Sequence, residues 1–414
     1  MAADPIARAG LLAGCSEESG RLTRRFGTPA LADAGELVSD WMRAAGMTVR
    51  RDAIGNVIGR IEGAEPGAAA LLLGSHLDTV PDAGRYDGAL GVLAAIAVVE
   101  RLGDAAGRLP FALEVVAFAD EEGSRFGTAF LGSSVLADSF DRAALARLDA
   151  DGVSLEDAIR GFGGDPGAID GAAREPGSLV GYAELHIEQG PVLEELGLPL
   201  GVVSGIAGQT RAALRFTGRS GHAGTVPMEL RRDALAAAAQ TVGEVEAVAR
   251  HTPGLVATVG DVAVSPGVAN VIPGQADLVV DVRHPEDADR HWAVALLRRR
   301  AGEIASARGV ECAWEPLHEQ AAVRCDPGLT GRMWQAVQDV GVEPHALASG
   351  AGHDAAPVAA IAPVTMLFVR CAGGVSHHPG ESVSEADVAV GVDALTRFVE
   401  LAAERRSGQG EGER

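Results

Sequence analysis

Histidine and carboxylate residues recur at the ends of apolar segments along this chain. His76 follows the apolar run Ala68–Leu73, and Asp87 lies beyond a glycine-rich turn from it. The run predicts a buried strand, which would place His76 at its carboxyl end, where open α/β sheets hold their sites. Imidazole and carboxylate groups together are typical ligands of divalent transition metals. The spacing therefore predicts a metal site around this turn.

Three later apolar segments deliver residues of the same types. Phe111–Ala119 precedes Glu121 and Glu122, Gly181–Ile187 contains His186, and Pro363–Arg370 leads to His377 and His378. Taken singly, each has an ordinary explanation as an acidic loop, a core histidine or a solvated turn. Together, four predicted strands bring ligand-type side chains to one edge of a sheet, whereas chance would scatter them.

Five of these side chains are sufficient to bind two metal ions. The predicted ligands are His76, Asp87, Glu122, His186 and His377. With Asp87 as a bridge, each ion has three protein ligands and one open position, where a water becomes a nucleophile near neutral pH. Glu121 points away from its neighbour Glu122 and remains as the general base. Mixed ligands of this kind suit manganese, zinc or cobalt.

Composition excludes several classes of function. The net charge of −22, from 57 acidic and 35 basic residues, disfavours nucleic acid and anionic membranes as partners. No lysine occurs, which excludes a Walker loop and a Schiff-base lysine. The chain shows neither a leader-like N-terminus nor an uncharged apolar stretch of about 20 residues. We therefore expect a cytoplasmic protein that does not bind membranes.

The order of predicted elements indicates two domains, as does the length of 414 residues. Strands alternating with helices predict a mixed, largely parallel α/β sheet flanked by helices, built from residues 1–206 and 325–414. The pattern of predicted elements changes over residues 207–324. Their strands and helices follow in the order β-α-β-β-α-β, which predicts an inserted ferredoxin-like α+β domain. Its elements are predicted at Thr210–Thr217, Met228–Arg250, Leu255–Val264, Gln275–Val282, Pro285–Arg308 and Val310–Pro316.

The inserted segment carries polar groups of another kind. His222 stands in a glycine-rich loop before a helix, Asn270 lies at a turn between strands, and Arg283 ends a strand. Each also suits an ordinary turn or surface position. A guanidinium binds a carboxylate through two parallel hydrogen bonds, and a polar donor stabilises an oxyanion. These residues therefore predict a clamp for a carboxylate substrate.

These segments resemble the M20-type metallopeptidase superfamily. More narrowly, they resemble its ureido-hydrolysing branch of allantoate amidohydrolases, N-carbamoyl-L-amino acid hydrolases and β-ureidopropionases. The resemblance extends from about Asn56 to Val383, and His186 in place of a carboxylate ligand is similar to this branch and unlike the di- and tripeptidases. The motifs are Gly-Ser-His76-Leu-Asp-Thr-Val-Pro, Tyr-Asp87-Gly-Ala-Leu-Gly, Asp-Glu121-Glu122-Gly-Ser-Arg-Phe, Glu-Leu-His186-Ile-Glu-Gln189-Gly-Pro, His222-Ala-Gly-Thr-Val-Pro-Met, Asn270-Val-Ile-Pro-Gly, Ser-Gly-Ala-Gly-His353-Asp-Ala and Gly-Val-Ser-His377.

The resemblance implies the ligand roles given above, with two divalent ions per subunit. It also implies a homodimer formed through the inserted domain, which would act as a lid over substrate, with His222 serving the active site of the partner. A small ureido carboxylate is the implied substrate. The residues implied in binding it are Gln189, Gln209, His222, Asn270, Arg283 and His353.

Allantoate is the expected substrate, and the expected products are ureidoglycine, ammonia and carbon dioxide. The segments most similar to allantoate amidohydrolases are Gly208–Arg211, His222-Ala-Gly-Thr-Val-Pro and Met366–Gly374. N-carbamoyl-L-amino acid hydrolases and β-ureidopropionases share the remaining motifs and are the alternative. A binding protein that kept the fold without catalysis is a third hypothesis, and the presence of Glu121 and every ligand disfavours it.

One segment departs from the family pattern. The family has a single histidine before Asn or Ser and then Pro-Ala-Glu, whereas this chain has His377-His378-Pro-Gly-Glu381. The order of the residues favours His377 as the ligand, with His378 as the alternative.

Overall fold

The structure is a computed structural model that describes residues 4–409, with side chains described as far as Glu404. The strands are β1 (Thr48–Arg51), β2 (Val57–Ile61), β3 (Ala70–His76), β4 (Ala112–Phe118), β5 (Leu179–Ile187), β6 (Leu200–Ile206), β7 (Gly208–Thr217), β8 (Gly221–His222), β9 (Val256–Ser265), β10 (Val271–Ile272), β11 (Gln275–His284), β12 (Glu311–Gln320), β13 (Val323–Arg324), β14 (Ala346–Ser349) and β15 (Val364–Val369).

The helices of the described chain alternate with these strands. They are α1 (Pro5–Leu12), α2 (Pro29–Ala44), α3 (Ala89–Leu102), α4 (Leu131–Leu136), α5 (Leu155–Gly161), α6 (Val192–Leu196), α7 (Ala234–His251), α8 (Asp287–Ala307), α9 (Pro327–Asp339), α10 (Ala355–Val358) and α11 (Glu385–Gln409). None of the helices in residues 4–409 has the length and apolar character needed to cross a membrane.

The chain divides into two compact units. The first unit comprises residues 4–204, 325–347 and 352–409 of the described chain, and the inserted unit comprises Gly205–Arg324 and Ala348–Ala351. Each unit has its own apolar core, one around Leu93 and Phe398 and the other around Phe216 and Leu278.

The first unit is built on a mixed sheet with the strand order β1-β2-β4-β3-β5-β15-β6. The four strands β4, β3, β5 and β15 are parallel to one another, and β2 and β6 flank them in antiparallel orientation. Residues of the parallel strands are buried along almost their whole length, as expected for strands covered on both faces. The predicted largely parallel sheet flanked by helices is thus confirmed, whereas β1, β2, β6 and β14 were not predicted.

Helix α3 fixes the position of Asp87, which immediately precedes its cap. Nearly every residue of α3 is buried, as expected for a helix that is apolar on all sides. Gly91 allows it to approach the sheet closely, because a Cβ there would lie 2.2 Å from the carbonyl oxygen of Leu185 and 2.8 Å from Ser75 Cβ. The helix therefore holds Asp87 against the ends of β3 and β5.

The inserted unit has an antiparallel sheet with the order β12-β7-β11-β9, and its helices α7 and α8 pack on that sheet. The order β7-α7-β9-β11-α8-β12 along the chain is that of a ferredoxin-like module. One predicted boundary is wrong: the helix expected from Met228 begins at Ala234. The Asp233 side chain caps it there by accepting a hydrogen bond from the backbone N–H of Ala236.

Candidate metal centre

Four parallel strands bring ligand-type side chains to one edge of the sheet. His76 is the last residue of β3, and His186 is the penultimate residue of β5. Glu121 and Glu122 follow β4, and His377 follows β15. Because parallel strands end at the same edge, side chains far apart in sequence meet there.

Asp87 lies between two groups of these ligands. Its Oδ1 atom is 3.5 Å from His76 Nε2 and 3.2 Å from His186 Nε2. Its Oδ2 atom is 3.5 Å from His377 Nε2, which is itself 3.1 Å from Glu122 Oε1. Within each group, the candidate ligand atoms lie within 4.8 Å of one another. The five side chains thus form two trios that share Asp87, with one carboxylate oxygen facing each trio.

The donor set fits divalent cations. Three imidazoles and two carboxylates converge in a space where four of the five side chains are buried or nearly so. A carboxylate withdrawn from water is costly unless opposite charge or hydrogen bonds compensate it. Nitrogen and oxygen ligands in threes, with room for one more, match the sites of zinc and similar metals.

Contacts on the far side of each buried imidazole orient it. His76 Nδ1 is 3.1 Å from the carbonyl oxygen of Asp78, and His186 Nδ1 is 2.9 Å from the carbonyl oxygen of Ile187. Such a contact on one ring nitrogen fixes the tautomer that leaves the other nitrogen free for a metal. Both Nε2 atoms accordingly face Asp87.

Asp78 organises the site although the sequence did not single it out. Its Oδ1 accepts a hydrogen bond from the backbone N–H of Glu121 at 2.9 Å, and its Oδ2 accepts one from Glu122 at 3.1 Å. The same fully buried carboxylate lies 3.4 Å from His76 Nδ1. A signal was present, because a carboxylate two residues beyond a ligand histidine at a strand end is well placed to orient that histidine.

Asp87 is held on both its backbone and its side chain. Glu381 Oε1 accepts hydrogen bonds from the backbone N–H groups of Tyr86 at 2.8 Å and Asp87 at 3.1 Å. Asp87 Oδ2 accepts hydrogen bonds from Gln189 Nε2 at 2.7 Å and from the hydroxyl of Ser376. The sequence predicted Gln189 as a substrate-binding residue, whereas Ser376 and Glu381 were not assigned roles.

The pKa values of Asp87 and Glu121 are shifted in opposite directions. Burial by itself raises the pKa of Asp87, but the adjacent imidazoles of His186 and His76 lower that pKa well below its usual range. Burial raises the pKa of Glu121 well above its usual range; His76 opposes the rise and Glu122 adds to it. Glu121 lies with His76 and Glu122 in one cluster of ligand atoms. Such a separation suits one carboxylate to binding cations and the other to accepting a proton.

The structure distinguishes the two adjacent histidines. His377 has a left-handed backbone, with φ of 55°, and its Nε2 reaches Glu122 and Asp87. His378 is exposed, and its Nδ1 accepts a hydrogen bond from the backbone N–H of Gly380 at 3.0 Å. The geometry therefore places His377 in the trio and His378 outside it.

His353, another predicted substrate-binding residue, is buried behind the trios in the first unit. Its ring meets the ring of His186 edge to face, with 4.6 Å between centroids, and lies 5.7 Å from the ring of Phe368. Burial lowers the pKa of His353 well below its usual range, and the nearby His186 adds to this effect. Burial thus favours the neutral form of this imidazole, which packs against the predicted ligand His186.

The other predicted substrate residues form two pairs in the inserted unit. Gln209 and Arg283 are opposite each other in the β7–β11 pairing, and both contact Asp281. His222 in β8 pairs with Val271 of β10, and the carbonyl oxygen of Asn270 accepts a hydrogen bond from Ala223 N–H at 2.9 Å. The structure thus brings Gln209 to Arg283 and His222 to Asn270.

These two pairs lie at opposite ends of the inserted sheet. Arg283 is near the end of β11, whereas Asn270 precedes its first residue, Gln275. Eight residues of strand between Gln275 and Arg283 span about 26 Å at about 3.3 Å per residue. Arg283 therefore lies about 26 Å from the end of β11 beside which Asn270 and its neighbour His222 are found.

The two histidines give a direct test of the metal centre. We expect His377→Ala to bind fewer divalent ions per chain after dialysis than the wild type, because it removes a ligand of one trio. Loss of a residue that merely orients a ligand lowers metal affinity by about 10–100-fold, so loss of the ligand itself should lower it by at least about 10-fold. His378→Ala is the matched control and should retain the wild-type metal content, measured by elemental analysis. Equal metal loss in both variants, or loss only in His378→Ala, would contradict this placement.

Comparison with known proteins agrees with the geometry. The chain matches peptidase family M20/M25/M40 over residues 72–401. It is 44% identical to an N-carbamoyl-L-amino acid amidohydrolase of Geobacillus stearothermophilus, over 92% of this chain and 94% of that protein. It is 42% identical to a probable allantoate deiminase of Oryza sativa subsp. japonica, over 93% and 85% of the two chains.

A solved structure has the same fold. The crystal structure of a hydantoinase/carbamoylase-family amidase from Burkholderia multivorans superposes with a TM-score of 0.91 at 35% identity, covering 96% of this chain and 97% of that one. These matches extend over nearly the whole chain and confirm the resemblance found in the motifs. The chain belongs to peptidase family M20/M25/M40, in the branch that contains these amidohydrolases.

Proposed function

We propose that this protein is a metal-dependent amidohydrolase that cleaves the linear ureido C–N bond of allantoate. The observation that carries this proposal is the pair of ligand trios sharing Asp87, with Glu121 beside them. Relatives that match more than nine-tenths of this chain are named for allantoate and for N-carbamoyl-L-amino acids. Both compounds are small carboxylates that contain a ureido group. Their carboxylate suits the arginine of the inserted unit, Arg283.

Each of the two trios would hold one cation. His76 and His186 with one oxygen of Asp87 would hold one cation, and Glu122 and His377 with the other oxygen would hold a second. Divalent cations at such positions polarise a carbonyl group and lower the pKa of water to about 7.

Glu121 is the residue that moves protons in this proposal. Its carboxylate takes a proton from water as the water oxygen attacks the ureido carbonyl carbon. It then gives that proton to the departing nitrogen as the C–N bond breaks. With allantoate, loss of ammonia leaves the carbamate of ureidoglycine, and breakage of its remaining C–N bond releases carbon dioxide. One water thus yields ureidoglycine, ammonia and carbon dioxide. Burial of Glu121 supports this role, because a raised pKa lets a carboxyl group hold and return a proton.

Arg283 is proposed to bind the substrate carboxylate. Asp281 accepts hydrogen bonds from Arg283 Nε at 2.8 Å and Nη2 at 3.2 Å, and the carbonyl oxygen of Gly350 accepts one from Nη1 at 2.7 Å. About a third of the arginine side chain remains exposed, with one hydrogen on each Nη atom not engaged by these partners. A planar guanidinium held in this way is suited to a second carboxylate through two hydrogen bonds. Gln209, its cross-strand neighbour, contacts the same aspartate and supports the same edge.

We further propose a homodimer in which His222 completes the active site of the partner. The placement of the two polar pairs at opposite ends of the inserted sheet supports this arrangement, because the strand between those ends is much longer than a small ureido acid. His222 is exposed and therefore available to another subunit. There it would donate a hydrogen bond to the oxyanion that forms on the ureido carbonyl.

Replacing the proposed base should separate catalysis from metal binding. We expect Glu121→Gln to keep the metal content of the wild type and to lower kcat by about 10²–10⁴-fold, the usual contribution of a general base. Ammonia release and elemental analysis measure the two effects. Glu175→Gln, an exposed carboxylate of the same unit, is the control and should be fully active. Wild-type kcat in Glu121→Gln would refute the assignment.

The shared active site predicts complementation. Glu121→Gln and His222→Ala homodimers should each be nearly inactive. A heterodimer has one site with an intact Glu121 and an intact His222 from the partner, so co-expressed variants should recover about a quarter of the wild-type activity, assuming random pairing of subunits. If both residues act within one chain, co-expression restores no activity.

The alternative substrate class is the N-carbamoyl-L-amino acids, which the 44% identical relative favours. We expect a higher kcat/KM for allantoate than for N-carbamoyl-L-amino acids when ammonia release is measured side by side with the manganese-loaded protein. The reverse order would assign the protein to the carbamoyl-amino acid hydrolases, and activity on neither would overturn the proposed function.

A further inference from the structure

Asn56 is one of only two asparagines in the chain, the other being Asn270. It lies in the loop between β1 and β2 and is fully buried. Its Nδ2 donates to Asp52 Oδ2 at 2.7 Å and to the carbonyl oxygen of Gly132 at 2.9 Å, and its Oδ1 accepts from the backbone N–H of Ala119 at 3.0 Å. Both donor hydrogens and the acceptor of the carboxamide are therefore engaged.

The partners of Asn56 flank the segment that carries the catalytic carboxylates. Ala119 lies two residues before Glu121, at the end of β4. Gly132 N–H donates to the carbonyl oxygen of Asp120 at 3.3 Å, and Phe130 N–H donates to that of Glu121 at 2.9 Å. The carboxamide thus joins the end of β4 to the start of α4, on either side of the acidic segment.

The surroundings of Asn56 fix the orientation of its carboxamide. Asp52 Oδ1 accepts hydrogen bonds from the backbone N–H groups of Ile54, Gly55 and Asn56 itself at 3.2, 3.0 and 2.9 Å, which holds its other oxygen toward Asn56 Nδ2. A Cβ on Gly132 would lie 2.4 Å from Asn56 Oδ1. A side chain at position 132 would therefore displace the carboxamide from this pose.

The acidic segment is therefore held from two sides. Asp78 binds the backbone N–H groups of Glu121 and Glu122, and Asn56 binds the backbone immediately before them. Asp78 also contacts a ligand histidine, so its removal would disturb several parts of the site at once. Asn56 touches neither a ligand nor the base, and it can affect them only through the backbone.

We propose that Asn56 is a positioning residue that sets the direction in which Glu121 and Glu122 leave β4. Its effect on catalysis rests on the proposed function, whereas its effect on cation binding through Glu122 does not. A displacement of about 1 Å in a catalytic group costs up to about 10²-fold in rate. Loss of an outer hydrogen-bond partner lowers metal affinity or activity by about 10–100-fold.

The test is Asn56→Asp in the full-length protein. This variant keeps the shape and the acceptor oxygen but loses both donors, and it faces the Asp52 carboxylate. We expect kcat for the ureido substrate to fall at least about 10-fold with KM unchanged. Titration with Mn²⁺ should show weaker binding of one ion, because Glu122 is displaced.

Arg8→Met is the matched control for a buried polar contact. Arg8 is buried and its guanidinium contacts Glu100 at 2.6 Å. Glu100 lies about 16 Å along α3 from the first residue of that helix, at about 1.5 Å per residue. The control should lose stability to denaturant while keeping kcat and Mn²⁺ affinity. If Asn56→Asp behaves in the same way, Asn56 has only a structural role and the proposal is overturned.

Two further measurements apply if Asn56→Asp does not fold or if the wild type is inactive. If Asn56→Asp does not fold, the milder Asp52→Asn should lower kcat and Mn²⁺ affinity in the same direction, and wild-type values in that variant would overturn the proposal. If the wild type hydrolyses no ureido substrate, the proposed function fails. The Mn²⁺ titration of the Asn56 variant then still decides whether Asn56 positions Glu122.

Discussion

The site depends on the contacts that the buried carboxylate of Asp87 makes with the surrounding imidazoles. This carboxylate is almost completely buried, and each of its oxygens faces a different trio of ligands. A charge so withdrawn from water must be compensated nearby. Imidazoles and hydrogen-bond donors supply part of that compensation, and divalent cations between them would supply the rest. The start of α3 and the contact of Glu381 with the backbone hold the carboxylate in this position.

The fold serves this constraint through its parallel strands. Three neighbouring strands end in His76, His186 and the acidic segment, so ligands more than a hundred residues apart meet without any long loop. Precision then comes from contacts to the backbone. Asp78 and Asn56 hold the acidic segment from its two sides, and both are fully buried. The sheet and these two side chains together hold Glu121, the proposed base, and Glu122, a proposed cation ligand, in fixed positions.

The sequence could predict which histidines and carboxylates converge, because apolar strands and residue types carry that information locally. It could not assign Asp78, Glu381 or Asn56, since their partners are mostly backbone groups whose positions depend on the tertiary fold. The separation of His222 from Arg283 was also invisible, because it follows from strand length and register in the inserted sheet. The start of α7 at Ala234 was missed because a side-chain cap outweighed the apolar pattern.

The proposed function requires two cations, and the two oxygens of Asp87 would each help to hold one of them. Anomalous diffraction from crystals loaded with Mn²⁺ measures this directly. We expect two peaks about 3.5–4 Å apart, the usual separation in two-metal sites, one beside each oxygen of Asp87. A single peak shared by all five side chains, or peaks away from Asp87, would contradict it.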